Sequence, residues 1–131
     1  MVSLTISDDA KSDLKELLKT DGAAAGRIIA LLQEIQSDAD LMDRLTQHDF
    51  GACQTAEFHI SKWNEQWRKG NDLWRLKIWD LEDQKLRYRI VYAFIPRRQK
   101  HVVLGVAPRS FNYDPRHELS IRILRAYQNL L

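Results

Sequence analysis

LWRLKIWD (73–80), LRYRIVYAFI (86–95) and KHVVLGVA (100–107) are the stretches on which the fold of this chain turns. Each is rich in β-branched and aromatic residues, each alternates with a period of two, and polar residues separate them. Three consecutive antiparallel strands are expected. A first hairpin turning near residue 83 sets Lys77 opposite Arg89, and a second turning near residue 98 sets Arg89 opposite Ala107 and Arg87 opposite Arg109. Arg75, Lys77, Arg87, Arg89 and Arg109 then share one face of three neighbouring strands. Like charges about 5 Å apart repel by roughly 3 kcal/mol at an effective dielectric near 20, and by less than about 1 kcal/mol in bulk water. Singly, each cation is adequately explained by solvent or by Asp80, Glu82 or Asp83 in the adjoining turn. As a group they point to a bound anion, and a phosphodiester suits the forked donors of arginine. Such crowding predicts that Arg89→Gln leaves stability unchanged or raised.

Outward from this core the pattern becomes helical. Val2 to Ile6 alternates apolar and polar residues and runs into Ser7-Asp8-Asp9, which reads as a short strand followed by a helix N-cap. Ala10, Leu14, Leu17 and Leu18 fall on one stripe of a helix reaching about Lys19, and Asp21-Gly22 breaks it. Ile28, Leu31, Leu32 and Ile35 predict a second helix over 23–36, antiparallel to the first. Residues 38–47 suit a third short helix, 48–55 a loop, Phe58-His59-Ile60 an extended piece and 61–69 a short amphipathic helix. At the other end, Asp114-Pro115 reads as an N-cap and first helical position, with Leu119, Ile123, Leu124, Tyr127 and Leu131 as the apolar stripe that follows.

A chain of 131 residues, 44% hydrophobic and 29% charged, fits one soluble domain with its own core. No apolar run approaches a membrane span and the N-terminus lacks the features of a secretion signal, so a cytoplasmic location is expected. Cys53, the only cysteine, forms no internal disulfide and is expected to be buried. The net charge of +2 conceals an asymmetry. Residues 1–60 hold 5 Lys and Arg against 11 Asp and Glu, residues 61–100 hold 11 against 5, and residues 101–131 hold 4 against 2. A basic middle behind an acidic start suits an anionic partner such as nucleic acid. His48, His59, His101 and His117 have no ligand-like spacing, so no metal site is expected, and His101 reads as a surface residue at a strand end. Trp63, Trp67 and Trp74 read as core. Trp79 falls on the strand face of Arg75 and Lys77 and is the tryptophan to consider for stacking on RNA.

Taken in order, LWRLKI, YRIVYAF, VVLGVAPRSFNY and a terminal helix resemble the RelE branch of the RelE/ParE toxins, over residues 73–131. The strand-helix-helix opening agrees with that family's order. The resemblance implies an α+β fold in a single domain over 1–131, with an N-terminal strand and helical hairpin packed on a mainly antiparallel sheet of about four strands, and a C-terminal helix. Residues 38–72 are an insertion relative to the compact family plan. It further implies the toxin of a type II toxin-antitoxin system, an mRNA interferase that inhibits translation by cutting ribosome-bound message. In that chemistry the ribose 2′-hydroxyl attacks the adjacent phosphate without a metal or cofactor, and a cognate antitoxin protein restrains the toxin. Lys77, Arg89, Arg109 and Tyr113 become the catalytic candidates, and Arg75, Arg87 and Trp79 the RNA-binding ones.

On that resemblance Lys77 or Tyr113 takes the hydroxyl proton, with a pKa ordinarily near 10 brought down by neighbouring cations. Arg89 steadies the charge on phosphorus and Arg109 aids the leaving oxygen. Arg109 and Tyr113 stand closer together than in the best-known members, and Pro108 precedes the arginine. Two alternatives share the fold. One is a ParE-like protein that poisons DNA gyrase by binding; the other is a catalytically silent RNA-binding regulator.

Overall fold

Ser7 shows how the fold begins. Its side chain accepts a hydrogen bond from Ala10 N at 3.2 Å, so the chain leaves strand β1 (Ser3–Ile6) and enters helix α1 (Asp8–Thr20) at one capped residue. Asp21 then ends α1 and caps α2 (Gly22–Gln36), accepting from Ala24 N at 3.1 Å. The hairpin so formed is the expected one, except that Leu18 leaves the buried stripe and is 49% exposed. After α3 (Ala39–Arg44) come β2 (Phe58–Lys62), α4 (Asn64–Arg68), β3 (Leu73–Ile78), α5 (Trp79–Asp83), β4 (Arg89–Ile95), β5 (Lys100–Ala107) and α6 (Glu118–Leu130). The computed structural model describes residues 2–108 and 111–131.

Among the described residues the strands form one mixed five-stranded sheet in the order β1-β5-β4-β3-β2, with β1 parallel to β5 and the remaining pairs antiparallel. The α+β class and the C-terminal helix agree with expectation, whereas the sheet has one strand more than the four expected. The extra strand is β2. His59, Ser61 and Lys62 pair with Lys77, Arg75 and Trp74, so part of the segment 38–72 extends the sheet at the cationic end instead of lying outside it.

The expected registers hold at the cationic end of the sheet. Leu76 faces Ile90, which puts Lys77 and Arg89 level one step beyond the last pair, and Arg89 faces Ala107. A bulge between Val91 and Tyr92 then moves β5 by one residue, since Val91 faces Gly105 but Tyr92 faces Val103. Other boundaries shift as well, and β4 begins at Arg89 instead of Leu86. Trp79-Asp80 belongs to α5, not to the strand, and α6 is capped by His117, whose Nδ1 accepts from Leu119 N at 3.0 Å, in place of Asp114.

Alternation divides the sheet into two faces. Leu76, Ile90, Tyr92 and Val103 join the hairpin residues Leu14, Ile28, Leu31 and Ile35 in one core. Leu73, Val91, Ala93 and Leu104 join Leu119, Ile123 and Tyr127 of α6, with Trp63 and Phe111, in the other. Trp63 and Trp74 are core as expected. One polar tie links the helices on the two faces. β1 ends at Ile6, opposite Val103, and Asp13 on α1 accepts the Val106 N–H further along β5 at 3.0 Å. Arg122 on α6 grips the same carboxylate at 2.9 and 2.6 Å.

Cys53 is exposed, contrary to expectation, because the turn around Gly51 carries it outward. His101 is the reverse case. It is only 2% exposed and packs against Phe94 and Tyr92, with ring centroids 4.7 and 6.1 Å away, because β1 and β4 flank its strand on both sides. Burial lowers its pKa to about 4. Among the described residues no helix is long and apolar enough to cross a membrane.

A histidine held neutral in the folded state favours folding fully only above its unfolded pKa, near 6.5, and that advantage is lost as pH falls toward 4. The expected outcome is a stability loss of about 3 kcal/mol across this window that His101→Leu removes. Urea unfolding at several pH values checks it; parallel curves for the two proteins contradict it.

Candidate functional site

Along β3 the α6 side of the sheet changes character. Leu73 is buried under α6, while Arg75 and Lys77 are half-buried and face a cleft of about 400 Å³. The helix does not reach that end of the sheet. Arg89 from β4, His59 and Ser61 from β2, His48 and Asp49 from the turn before β2, Asn64 at the start of α4, Leu76 and Tyr113 also line the cleft.

Each cation is held differently. Arg75 donates from Nε to Ser61 Oγ at 2.8 Å, and its guanidinium lies 4.9 Å from the centre of the Tyr113 ring. Lys77 carries its ammonium 4.7 Å from the centre of the Trp79 ring. Arg89 donates to Glu82 on α5 and to the Tyr88 carbonyl, the latter at 3.1 Å. Among the described residues, no carboxylate lies within ion-pairing distance of Arg75 or Lys77. The cleft therefore holds one matched cation and two unmatched ones.

Burial, then the proximity of Arg89, with Arg75 and Arg87 adding and Glu82 opposing, pulls the Lys77 pKa below its usual value. The direction agrees with the sequence-based expectation, but desolvation is the larger cause. Tyr113 goes the other way. Burial pushes its phenol up in spite of Arg75 and Arg89 nearby, and its hydroxyl is buried without a hydrogen-bond partner among the described residues. Its ring meets Trp63 and Phe111 edge-on at 5.4 and 4.8 Å. The depression expected of its pKa is thus reversed, and Tyr113 forms a wall of the cleft that supports Arg75.

Arg87 lies outside β4 and lines an adjoining cleft of about 450 Å³ that shares Arg89 and Tyr113 with the first. Arg109, expected opposite Arg87, lies outside the described residues. Trp79 is near the site but is already engaged. Its ring stacks on His59 at 5.8 Å with planes 12° apart, and its indole N–H donates to the Gly51 carbonyl at 2.8 Å. Gly51 has φ +77, and a Cβ there would sit 1.8 Å from the Phe58 carbonyl oxygen, so only glycine allows this turn. Trp79 braces Lys77 and His59 instead of presenting a free ring to a base.

Sequence reasoning did not find the contribution of His48, Asp49, His59 and Ser61. His59 and Ser61 alternate along one short strand, which signals a shared face, but its relevance depends on β2 pairing with β3. Among the described residues no group of three or more His, Cys, Asp or Glu is disposed to hold a metal ion. Comparison of the chain with protein-family models, with curated proteins and with solved structures returns no match.

The pairing with Glu82 changes one expectation directly. Glu82 is 14% exposed and Arg89 24%, so Arg89→Gln strands a mostly buried carboxylate in place of relieving repulsion. Single changes Arg89→Gln and Glu82→Gln are each expected to cost about 1–2 kcal/mol, with a coupling of about 1 kcal/mol in a double-mutant cycle. Chemical unfolding of the four proteins measures it, and strictly additive effects would mean that the pair contributes nothing to stability.

Proposed function

We propose that this protein is a metal-independent RNA endonuclease of the RelE-like kind, acting on ribosome-bound message and serving as the toxin of a toxin-antitoxin pair. The observation that carries this reading is the convergence of Arg75, Lys77 and Arg89 on one cleft in which only Arg89 has a carboxylate of its own. When a 2′-hydroxyl attacks its neighbouring phosphate, the negative charge on the phosphoryl oxygens increases. Fixed cations in a partly desolvated cleft stabilise that state more than the ground state. Arg75 and Arg89 serve this purpose, and Lys77 moves a proton at one of the two reacting oxygens. Arg87, beside the adjoining cleft, meets the flanking phosphate.

The order of elements also supports the family reading. With β2, its flanking helices and the short α5 set aside, a strand, a helical hairpin, three antiparallel strands and a terminal helix remain, as in the resemblance. On the same reading the partners are a cognate antitoxin protein and the ribosome with its mRNA, and the protein works in the cytoplasm without a cofactor. The buried phenol of Tyr113 favours one rival, a regulator that binds RNA without cutting it, because it withdraws one of the two groups expected to take the hydroxyl proton.

Purified protein incubated with an end-labelled oligoribonucleotide in EDTA, and in parallel with a translating extract at its working magnesium concentration, separates the readings. Expected are fragments ending in 2′,3′-cyclic phosphate, with cleavage reduced about 100-fold or more in Lys77→Met at an unchanged melting temperature. Binding without cleavage in both assays supports the silent regulator. Intact message together with inhibited gyrase supercoiling supports the ParE-like alternative.

A further inference from the structure

The proposed nuclease needs a group that accepts the 2′-hydroxyl proton near neutral pH. Tyr113 is poorly suited, since burial raises its pKa. Lys77 in its ammonium form is a donor. The structure offers another side chain in the same cleft, built on a strand that the sequence left unpaired.

His59 stands directly across from Lys77 in the β2–β3 register, and Lys77 is level with Arg89. Neighbouring strands lie about 4.8 Å apart, so these three residues form a row about 10 Å long across the open face. A carboxylate fixes the imidazole at one end of that row. Asp49 is tied to the outer edge of β2 by its own N–H to the Ile60 carbonyl at 2.8 Å, and Ile60 returns a bond to the Phe50 carbonyl at 2.9 Å. Its Oδ1 lies 3.2 Å from His59 Nε2. Ionised carboxylates only accept, so Nε2 carries the proton and Nδ1 is left with the lone pair of the neutral ring. His48 completes the chain. Its Nδ1 accepts the Lys62 N–H at 3.0 Å, and its Nε2 lies 3.5 Å from Asp49 Oδ2. Stacking on Trp79 holds the His59 ring from α5.

We propose that His59 is the general base of this cleft and Asp49 its positioning residue, with Lys77 as the general acid. This rests on the endonuclease reading. Nδ1 of His59 takes the 2′-hydroxyl proton, O2′ bonds to phosphorus, the bond from phosphorus to O5′ breaks, and the Lys77 ammonium delivers a proton to O5′. The products are a 2′,3′-cyclic phosphate and a 5′-hydroxyl, and solvent restores both side chains. A protonated His59 has no lone pair with which to take that proton, so cleavage requires the neutral ring. The charged and titratable groups around it are Asp49 and His48 from the loop, Lys77 and Arg75 from β3, Arg89 from β4, Glu82 from α5 and Tyr113.

Cleavage of an oligoribonucleotide from about pH 5 to 9, alongside an NMR titration of the imidazoles, tests the assignment. The acid limb of the rate is expected to share its midpoint with His59 and not with His48 or His117. His59→Gln is expected to lose about 100-fold or more and to flatten that limb, and added imidazole should restore part of the rate in His59→Ala. Asp49→Asn should move the rate midpoint and the His59 midpoint downward together. An acid limb that survives in His59→Gln, or midpoints that differ in the wild-type protein, overturns the proposal, and the second comparison holds even where the variants fold poorly. Wild-type protein that cuts neither the free oligoribonucleotide nor ribosome-bound message overturns the endonuclease reading and this one with it; cleavage of either substrate that is indifferent to His59 overturns this one alone.

Discussion

Strand parity is the constraint on which the site depends. Residues facing each other across an antiparallel pair point to the same side, so once Leu76 pairs with Ile90, Arg75, Lys77 and Arg89 have no choice of face. A slip of β3 by one residue would send Arg75 and Lys77 into the core beneath the helical hairpin and turn Leu76 outward, and a slip of β4 would do the same to Arg89 and Ile90. The large apolar cost of that exchange fixes the register, and the register fixes the cluster. The hydrophobic residues on one side thereby determine the electrostatics on the other.

The same sheet face that is dry under α6 is open at the cationic end, and the contrast explains how the crowding is tolerated. Glu82 offsets Arg89, aromatic rings lie under Arg75 and Lys77, and Ser61 holds the Arg75 guanidinium in place. These contacts orient the cations without neutralising the cleft, since ring faces and a hydroxyl carry no net charge. Residues 48–62 add a further wall of imidazole and carboxylate, so a segment outside the three long strands contributes to the cleft itself.

Much of this was legible from the chain. Alternation in 73–78, 89–95 and 100–107 locates the strands, and hairpin arithmetic locates the registers up to the bulge at Val91/Tyr92, because both follow from local periodicity. Phe58-His59-Ile60 reads as extended, but the five residues Phe58–Lys62 carry too short a pattern to declare β3 as their partner. His101 was misjudged because its burial depends on β1 closing over β5, a contact between opposite ends of the chain. The helical turn Trp79–Asp83 ends β3 early and brings Glu82 round to Arg89, a long-range pairing that no period reveals. Tyr113 was assigned by position alone, and its enclosure by Trp63 and Phe111 is a tertiary fact.

Cations that meet an RNA phosphate release its counterions on binding, so the proposed contact has a signature in the salt dependence of affinity. Anisotropy of a labelled 2′-O-methyl oligoribonucleotide, which cannot be cut, gives the slope of log affinity against log salt. That slope should decrease in magnitude by about 0.7 in Arg75→Gln, the amount expected for one lost single-strand phosphate contact, and stay unchanged in Lys11→Gln on the distant, acidic α1. Equal slopes for the wild-type protein and Arg75→Gln would contradict the account.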